Sequence, residues 1–545
     1  MGGRRERLIR KADLLLRMEK GTVFKDPGGN LNICLVYPNV YHVGMSNLGF
    51  QGVYGMLNRM DGVLCERAFL PDPEDIGDYG KAELFSLESK RPLGRFDMLA
   101  FSVPFENDYP NIPAILDLAG ITPFASERGP MEPLLLLGGI AAFSNPEPIA
   151  GFFDIVFTGE AEPLLPPFVE AVKRATGREG FFKDLLGMPG IYLPSFYEVS
   201  YGAGGPIKER KAAPGAPEVI KKQIAAGLRD FSMRHSIITP NTEFSNMRLV
   251  ELMRGCPWSC SFCLTGHVYD PPRSRPVEDV KKEIEEGGSG RVGLVGPSVS
   301  DYRGLPELLK IGGVEFSVTS LRAGGRSMGL LPYLKDMRSI SIAAEAGTER
   351  LRGLINKKIT EEEILETSRA VLSEGINLRI YFMAGLPTET EEDADAIIDL
   401  VGRIRRTSSK GRITLTVSTF VPKPFTCFQW HPMERPEVVK ARVRRTAKSL
   451  GALKAVSVFH DLPKYACMQG VFAMGDRRLT PAILAMAREG LDYRAALKKT
   501  GVAEDFHIFR PKPADEPLPW DFIDAGVSRQ ALRAAYERAL GSRPL

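Results

Sequence analysis

The chain reads as an α/β protein: a doubly wound parallel sheet, then a partial (β/α)6 barrel of the TIM type, then a mostly helical C-terminal extension. Three observations predict this. Short apolar runs alternate with helical patterns from residue 31 to about 174, six more strand-like runs alternate with helices between 246 and 421, and the alternation stops beyond 454. Such alternation implies parallel strands joined by helical crossovers, covered on both faces in the first region and wound into a barrel in the second. At 545 residues the chain is also too long for one ordinary core.

The elements follow in order. Residues 1–30 place Arg4, Arg5, Arg7, Arg10 and Lys11 around Leu8 and Ile9, with Leu14, Leu15 and Leu16 behind them. Glu6, Asp13 and Glu19 interrupt the positive run and no small-residue cleavage site follows, so an amphipathic helix is expected, not a targeting peptide. Residues 31–200 form a Rossmann-like domain. Its strands are expected at Leu31–Pro38, Met98–Val103, Leu134–Gly139 and Asp154–Thr158, with helices at Ser46–Met60, Ile112–Ala119 and up to Arg174. Ligands of such sheets sit at the carboxyl ends of the strands, here Pro38–Tyr41, Ser102–Glu106 and Gly138–Ile140.

Residues 201–245, rich in Gly, Pro and Lys up to Pro217, are a linker and lead-in. The barrel takes residues 246–453. Its strands are expected at Asn246–Met253, Val292–Val295, Glu315–Thr319, Ser339–Ala343, Asn377–Met383 and Thr414–Val421. Helices at Glu278–Glu286, Gly304–Ile311, Leu331–Met337, Thr360–Glu374 and Glu391–Arg406 separate them. Residues 454–545 are a helical extension with loops.

Composition narrows the class. Hydrophobic residues at 43% and charged residues at 25% describe an ordinary globular protein. A net charge of +4 does not by itself argue nucleic-acid binding, and no apolar run is long enough to cross a membrane. Seven cysteines in this length do not make a disulfide scaffold, and a reducing cytoplasm is expected.

Three of those cysteines stand within eight residues, Cys256-Pro257-Trp258-Ser259-Cys260-Ser261-Phe262-Cys263, with no fourth beside them. Thiolates so close serve a metal centre or a redox site. One reading is a closed zinc shell completed by His267, four residues beyond Cys263. The other is an iron–sulfur cluster on three protein ligands, which leaves one iron open, unlike a fully ligated electron-transfer cluster.

The Cys-x3-Cys-x2-Cys spacing, with Phe262 before the last cysteine, resembles the cluster loop of radical S-adenosylmethionine (SAM) enzymes. The resemblance implies a [4Fe-4S] cluster on Cys256, Cys260 and Cys263, with SAM on the open iron and an external electron donor such as flavodoxin or ferredoxin. It implies further cofactor contacts at Phe262, at Gly296, Pro297 and Ser298 after the second strand, at Ser320 and Arg322 after the third, at Glu345 after the fourth, and at Gly385 in Gly385-Leu386-Pro387-Thr388-Glu389-Thr390. The bland readings are a tight turn for Gly296, a surface arginine for Arg322 and a helix-capping carboxylate for Glu345.

The first domain is similar to the cobalamin-binding-like domain that precedes the barrel in one branch of this superfamily. The match rests on the strand pattern, Ser102 and the paired Gly138-Gly139. The cobalt-ligating Asp-x-His-x-x-Gly signature is absent, because His42 precedes Gly44 by two residues and lacks the aspartate. A methylthiotransferase of the same superfamily would carry three cysteines in the first domain, and only Cys34 and Cys65 occur there. The segments 420–430 and 518–524 are similar to those of an uncharacterised group with this domain order. Cys427 reads as a packing thiol.

The resemblance therefore implies reductive cleavage of SAM and hydrogen abstraction from an unknown substrate, with methyl transfer as the end if cobalamin binds. The competing reading is a Cys3His zinc protein that binds RNA through Arg403, Arg405, Arg406, Lys410, Arg412, Lys440, Arg442, Arg444, Arg445, Lys448 and Lys454.

Overall fold

A computed structural model describes residues 2–79, 83–229, 233–288, 290–318, 320–335 and 337–541. The N-terminal helix α1 (Gly2–Met18) buries Leu8 and Ala12. Beyond it lie β1 (Leu31–Tyr37), helix α2 (Leu48–Arg59), β2 (Val63–Phe69), β3 (Met98–Ser102), β4 (Leu134–Gly138), β5 (Ile155–Phe157), helix α3 (Ala161–Arg174) and β6 (Ile191–Tyr192). They make one sheet in the order β2-β1-β3-β4-β5-β6, parallel throughout except for β6 at the edge. The order reverses between β1 and β3, which is where open α/β sheets bind ligands.

Strand β2 is absent from the sequence reading. Its run Val-Leu-Cys-Glu-Arg-Ala-Phe puts Glu66 and Arg67 in the middle of an apolar segment. The structure buries Arg67 completely and pairs its guanidinium with Glu19 at 2.7 Å and Glu88 at 2.7 Å. A buried charge is tolerated when it is paired in this way. The same ion pairs fasten the chain after α1 to the sheet.

The second unit contains β7 (Met247–Glu251), β8 (Gly290–Val295), β9 (Val314–Ser317), β10 (Ser320–Leu321), β11 (Ser339–Glu345), helix α4 (Glu361–Ser373), β12 (Asn377–Ala384), helix α5 (Glu391–Thr407), β13 (Ile413–Thr419), helix α6 (Pro436–Gly451) and β14 (Val456–His460). These strands run parallel in two sheets, β7-β8-β9 and β10-β11-β12-β13-β14, and a short antiparallel pair, Met253–Arg254 with Arg273–Ser274, flanks the cysteine loop. The third expected strand ends early. Its residues up to Ser317 pair with β8 as β9, the separate strand β10 just past its expected end pairs with β11, and Thr319 lies outside the described residues. No closed ring of strands forms among the described residues.

Two helix expectations shrink, to Leu305–Leu308 and to a single 3-10 turn at Leu331–Tyr333. The first is hemmed in by Gly304 on one side and Gly312-Gly313 on the other; Asp336, part of the second, lies outside the described residues. A further correction concerns residue 454 onward. Val456–His460 is a further parallel strand, the fifth of the second sheet, in register with β13, so the helical segment starts only at α7 (Pro463–Met474). Ser457, Phe459 and His460 are exposed in β14, and that short, uncovered edge hid the strand from an apolar-run criterion.

The two faces of the second sheet differ. Leu378, Ile380 and Phe382 of β12 pack with Ile340, Ile342, Ile413, Leu415 and Ile397 in one core beneath the helices. The opposite face carries rows that run across the strands in register. One is Ser320, Ser341, Arg379, Thr414 and Ser457, and the next is Ala343, Tyr381, Thr416 and Phe459. Tyr381 is 39% exposed and Phe459 61%.

The C-terminal segment ties the units together. Arg477 bonds Glu147 at 2.9 Å and Asn145 donates to the carbonyls of Ala473 and Gly475, while Trp520 donates to Gln429 at 2.9 Å. The last helix, α8 (Arg529–Ala539), closes over the loop after β13.

Candidate active site

The cysteine loop leaves the carboxyl end of β7. Gly255 has φ +77°, and a Cβ there would lie 2.4 Å from the Tyr269 carbonyl oxygen, so only glycine lets the chain turn out of the strand at this point. Arg254 just before it is buried and meets three carboxylates, Glu251 at 2.9 Å, Glu160 at 2.9 Å and Glu162 at 2.8 Å. Glu160 also takes Arg273 at 2.6 Å. Glu160 and Glu162 come from the start of α3, so this network welds the loop's root to the N-terminal domain.

The loop itself is held by its backbone. Ser261 N–H donates to Ile355 O at 2.9 Å, Asn356 donates to Ser259 O at 2.6 Å, and the Cys427 thiol donates to Ser261 O at 3.5 Å. Cys260 is buried, and Cys256 and Cys263 are half-buried. Phe262 packs against the core at the domain junction.

The sulfur positions test the metal. A single tetrahedral ion about 2.3 Å from each sulfur needs them about 3.8 Å apart. Cys256, Cys260 and Cys263 do not bring their sulfurs within 4.8 Å of one another as a set; among the described residues only Asp72, Glu74 and Asp75 form so tight a group. His267 bonds the Cys263 carbonyl oxygen through Nδ1 at 2.8 Å, which leaves Nε2 free, but no set of three that joins it to the cysteines is within 4.8 Å either. The donor set of three thiols fits a polynuclear cluster with one open iron.

Around the loop the expected contact residues fall into two groups. Trp258 donates its Nε1–H to Asp301 at 2.6 Å, Ser298 donates to the same carboxylate at 2.6 Å, and the Arg322 guanidinium lies 3.6 Å from the Trp258 ring centroid. The Arg322 fork donates to the carbonyls of Lys357 and Lys358, both at 2.7 Å. Both bonds come from Nη2, and the side chain is half-buried, not a free surface arginine. Gly296 approaches Met253 so closely that a Cβ would lie 2.8 Å from the Met253 side chain, and Pro297 follows it, exposed. Ser320 is exposed on the inner face beside Ser341.

The second group centres on Glu345, which ends β11 at a register shift with φ +65°. Its carboxylate lies 2.9 Å from Lys357 Nζ. Helix capping is not its role, because Thr348 caps the next helix by accepting from Leu351 N–H. A non-glycine residue in the left-handed region costs about 1–3 kcal/mol and is found where function over-determines the backbone. Gly385, also left-handed at φ +82°, donates its N–H to Glu389 at 2.6 Å, and a Cβ there would point toward Glu434 and Val439. Burial pushes the Glu389 carboxyl up to about 7 even with Arg442 beside it.

Sequence reasoning missed Lys357, Asp301, Trp258 and Arg254. Trp258 stood inside the motif and could have been read there, whereas Lys357 follows a short helix with no spacing signal.

A cavity of about 450 Å³ opens between β1, β3, β4 and helices α2 and α3, and its mouth faces the barrel. Ser102, Gly138 and Gly139 line it together, as do Glu160, Glu162, Glu251, Arg254 and Tyr269. Gly139 has φ +98°, and a Cβ on it would lie 2.7–2.9 Å from the Val103 backbone. His42 does not line the cavity; it is exposed, 3.8 Å from Glu243.

Two family models match the chain. "Radical SAM proteins, N-terminal" covers residues 49–194, and "Radical SAM superfamily" covers residues 250–401. The chain belongs to the radical SAM superfamily. It is therefore an enzyme of a class that works with a [4Fe-4S] cluster and S-adenosylmethionine. An uncharacterised protein of Methanocaldococcus jannaschii is 28% identical over 487 residues, 87% of this chain and 95% of that one. A tRNA-2-methylthio-N(6)-dimethylallyladenosine synthase of Anaplasma marginale is 24% identical over 292 residues, 47% of this radical SAM chain and 62% of the synthase. Among solved structures, the radical SAM methyltransferase TsrM of Kitasatospora setae, with cobalamin and a [4Fe-4S] cluster bound, aligns at a TM-score of 0.49 and 12% identity. That alignment covers 85% of this chain and all of TsrM.

Three of the eleven basic residues named above are ion-paired. Arg442 pairs with Glu389 and Glu391, Arg445 with Glu391 and Asp395, and Arg403 with Glu361 and Asp399. No helix among the described residues is long and apolar enough to cross a membrane.

Proposed function

We propose that Cys256, Cys260 and Cys263 hold the cluster, that this chain cleaves SAM reductively, and that the cavity of the N-terminal domain takes a corrinoid, with methyl transfer to an unreactive carbon as the outcome. One observation carries the reading. The loop offers three thiols, no set of three donors that adds His267 to them lies within 4.8 Å, and the Cys427 thiol bonds Ser261 O. When bound, the cluster and SAM supply a 5′-deoxyadenosyl radical, the hydrogen-abstracting agent of the superfamily.

The chain's own residues do the positioning. Gly255 and the Arg254 network fix where the loop starts, and Asn356 and Ile355 fix its middle. The Lys357–Glu345 pair presents an ammonium and a carboxylate at the strand end, suited to an amino acid's carboxylate and to ammonium or ribose hydroxyl groups respectively. The Trp258–Arg322 stack covers the flank of the loop and limits water there.

For the corrinoid, the support is a largely apolar cavity at the carboxyl ends of β3 and β4, with glycines that leave room for a ligand against the backbone. No histidine lines it, so a corrinoid there would have no protein ligand to its cobalt. A second cluster for methylthio transfer lacks ligands. Cys34 and Cys65 are fully buried inside β1 and β2, and burial pushes both thiols up.

Anaerobic reconstitution tests the proposal. The expected product is brown, holds about four irons per chain and forms 5′-deoxyadenosine under reduction. A colourless chain holding only zinc ends the reading. Purification with cobalamin supplied separates the two halves: a corrinoid absorption band supports methyl transfer, and its absence leaves isomerisation, cleavage or oxidation.

A further inference from the structure

The second sheet ends on β14, and the outer edge of that strand is bare. Ile413 donates to the Ala455 carbonyl at 2.9 Å and Asp461 donates to the Val417 carbonyl at 3.3 Å, so every second residue from Ala455 to Asp461 turns its backbone toward β13. Val458 and His460, between them, turn theirs outward. Among the described residues, nothing donates to their carbonyls and their N–H groups have no acceptor. Comparable edges are closed. On β2, Asn58 accepts from Cys65 N–H at 3.1 Å and donates to the Cys65 carbonyl at 2.9 Å, while Leu87 donates to the Arg67 carbonyl at 2.6 Å and Arg67 N–H goes to Glu88 at 2.7 Å. On β7, Arg234 bridges Val250. Strand β14 also lacks the devices that keep a bare edge single. Val456-Ser457-Val458-Phe459-His460 contains no lysine, carboxylate or proline, and no bulge breaks its register with β13. Phe459, 61% exposed, stands between the free residues, and Leu462 and Tyr465 just beyond the strand are exposed as well.

We propose that β14 pairs antiparallel with β14 of a second copy of this chain, about a two-fold axis at Phe459. The free backbone groups select that register. It sets Val458 opposite His460 of the second copy and the reverse, so every N–H and carbonyl of the free residues on both copies finds a partner. An axis at Val458 would set His460 against Val456, whose N–H is already taken by the Leu453 carbonyl. An axis at His460 would set Val458 against Leu462, whose carbonyl is taken by Tyr465 N–H. With the axis at Phe459, the Phe459 rings of both copies face each other in the closer, non-hydrogen-bonded kind of pair, where Cα atoms approach to about 4.5 Å. Aromatic pairs at such positions stabilise a sheet. A second copy therefore meets both requirements of this edge with the same residues, as a two-fold interface must. The pairing also joins the five-stranded sheets of both copies. The row Tyr381, Thr416 and Phe459 on the open face then continues into Phe459 of the second copy.

Sedimentation of the full chain tests this. The wild type is expected at twice the 60.1 kDa of one chain. His460→Pro removes an outward N–H at an exposed position, and Phe459→Lys sets ammonium groups face to face. Each is expected to raise the dimer dissociation constant by about tenfold or more, with a circular dichroism spectrum like that of the wild type. A cross-link checks the register without weakening the edge. Phe459→Cys is expected to give a disulfide-linked dimer under mild oxidation, above the wild-type background, because that pair lies within disulfide reach. Ser457→Cys, which would face Asp461 of the second copy, is expected to give none. A wild-type chain that sediments as one copy at every concentration overturns the proposal, even if the edge takes some other peptide. So does a dimer that both edge variants leave intact, since its interface lies elsewhere. Cross-linking through Ser457→Cys and not through Phe459→Cys overturns the register, and with it the pairing of Val458 with His460.

Discussion

The two parallel sheets of this molecule bury their strands differently. In the N-terminal sheet, β1 is buried at five consecutive positions, Ile33 to Tyr37, with helices or ion pairs on both faces. In the second sheet, β12 alternates: Leu378, Ile380 and Phe382 are buried, Arg379 and Tyr381 are exposed. A closed barrel of this type normally fills its interior with layers of Val, Ile and Leu. Here the inner rows hold Ser341, Thr414, Thr416 and Ser457 with Arg379 and Tyr381, and the ring of strands is open. A sheet covered on both sides has only its carboxyl edge and a side cavity left for ligands. The one-sided sheet leaves a whole polar face available beside the cysteine loop.

That contrast can be broken by experiment. The largest effect is expected at the loop. Alanine at Cys256, Cys260 or Cys263 should drop iron content to background and abolish 5′-deoxyadenosine, whereas Cys427→Ser should keep the cluster spectrum. Next, Phe382→Ala on the covered face should cost about 3–5 kcal/mol of stability in urea unfolding.

An acid titration probes the buried histidines that lie outside both sheets. Burial lowers His235, His431 and His507 to about 4 from the usual 6.5. Their neutral forms favour the fold, so stability is complete above pH 6.5 and is lost as pH falls toward 4. Each histidine contributes on the order of 3 kcal/mol at the acid end. Thermal melts between pH 7 and 4 should show the decline, and His507→Gln should flatten it.

A smaller effect is expected at the cavity of the first sheet. Gly139→Ala should cost about 1–3 kcal/mol from backbone strain plus the clash with Val103, while Gly138→Ala, whose Cβ has nothing nearer than 3.9 Å, should fold normally. The smallest changes belong to the open face: Tyr381→Ala and Phe459→Ala should shift stability by about 0.5 kcal/mol or less. If they cost as much as Phe382→Ala, the inner face is a packed core and the contrast between the sheets is wrong.

Much of the architecture was legible in the residues, for identifiable reasons. Strands such as Leu134–Gly138 and Asn377–Ala384 are dense in apolar side chains, so their signal is local. Val63–Phe69 was not legible, because Arg67 becomes compatible with a buried strand only once Glu19 and Glu88, distant in sequence, surround it. Val456–His460 was not, because it is an edge strand with an exposed face. At the site, the cysteine spacing and Gly138-Gly139 stood out as motifs. The fate of Arg322 did not, since nothing in its neighbourhood in sequence announces Trp258 or the Lys357 and Lys358 carbonyls.

The residue order by itself determined the class of chemistry and the two-part α/β plan, because ligand spacing and apolar periodicity are properties of short stretches of chain. Only the tertiary structure decided that the described strands form two sheets with no closed ring, and that Glu345 faces Lys357. Those arrangements join residues from distant segments, and the energies that select them come from burial and charge pairing across the folded interior.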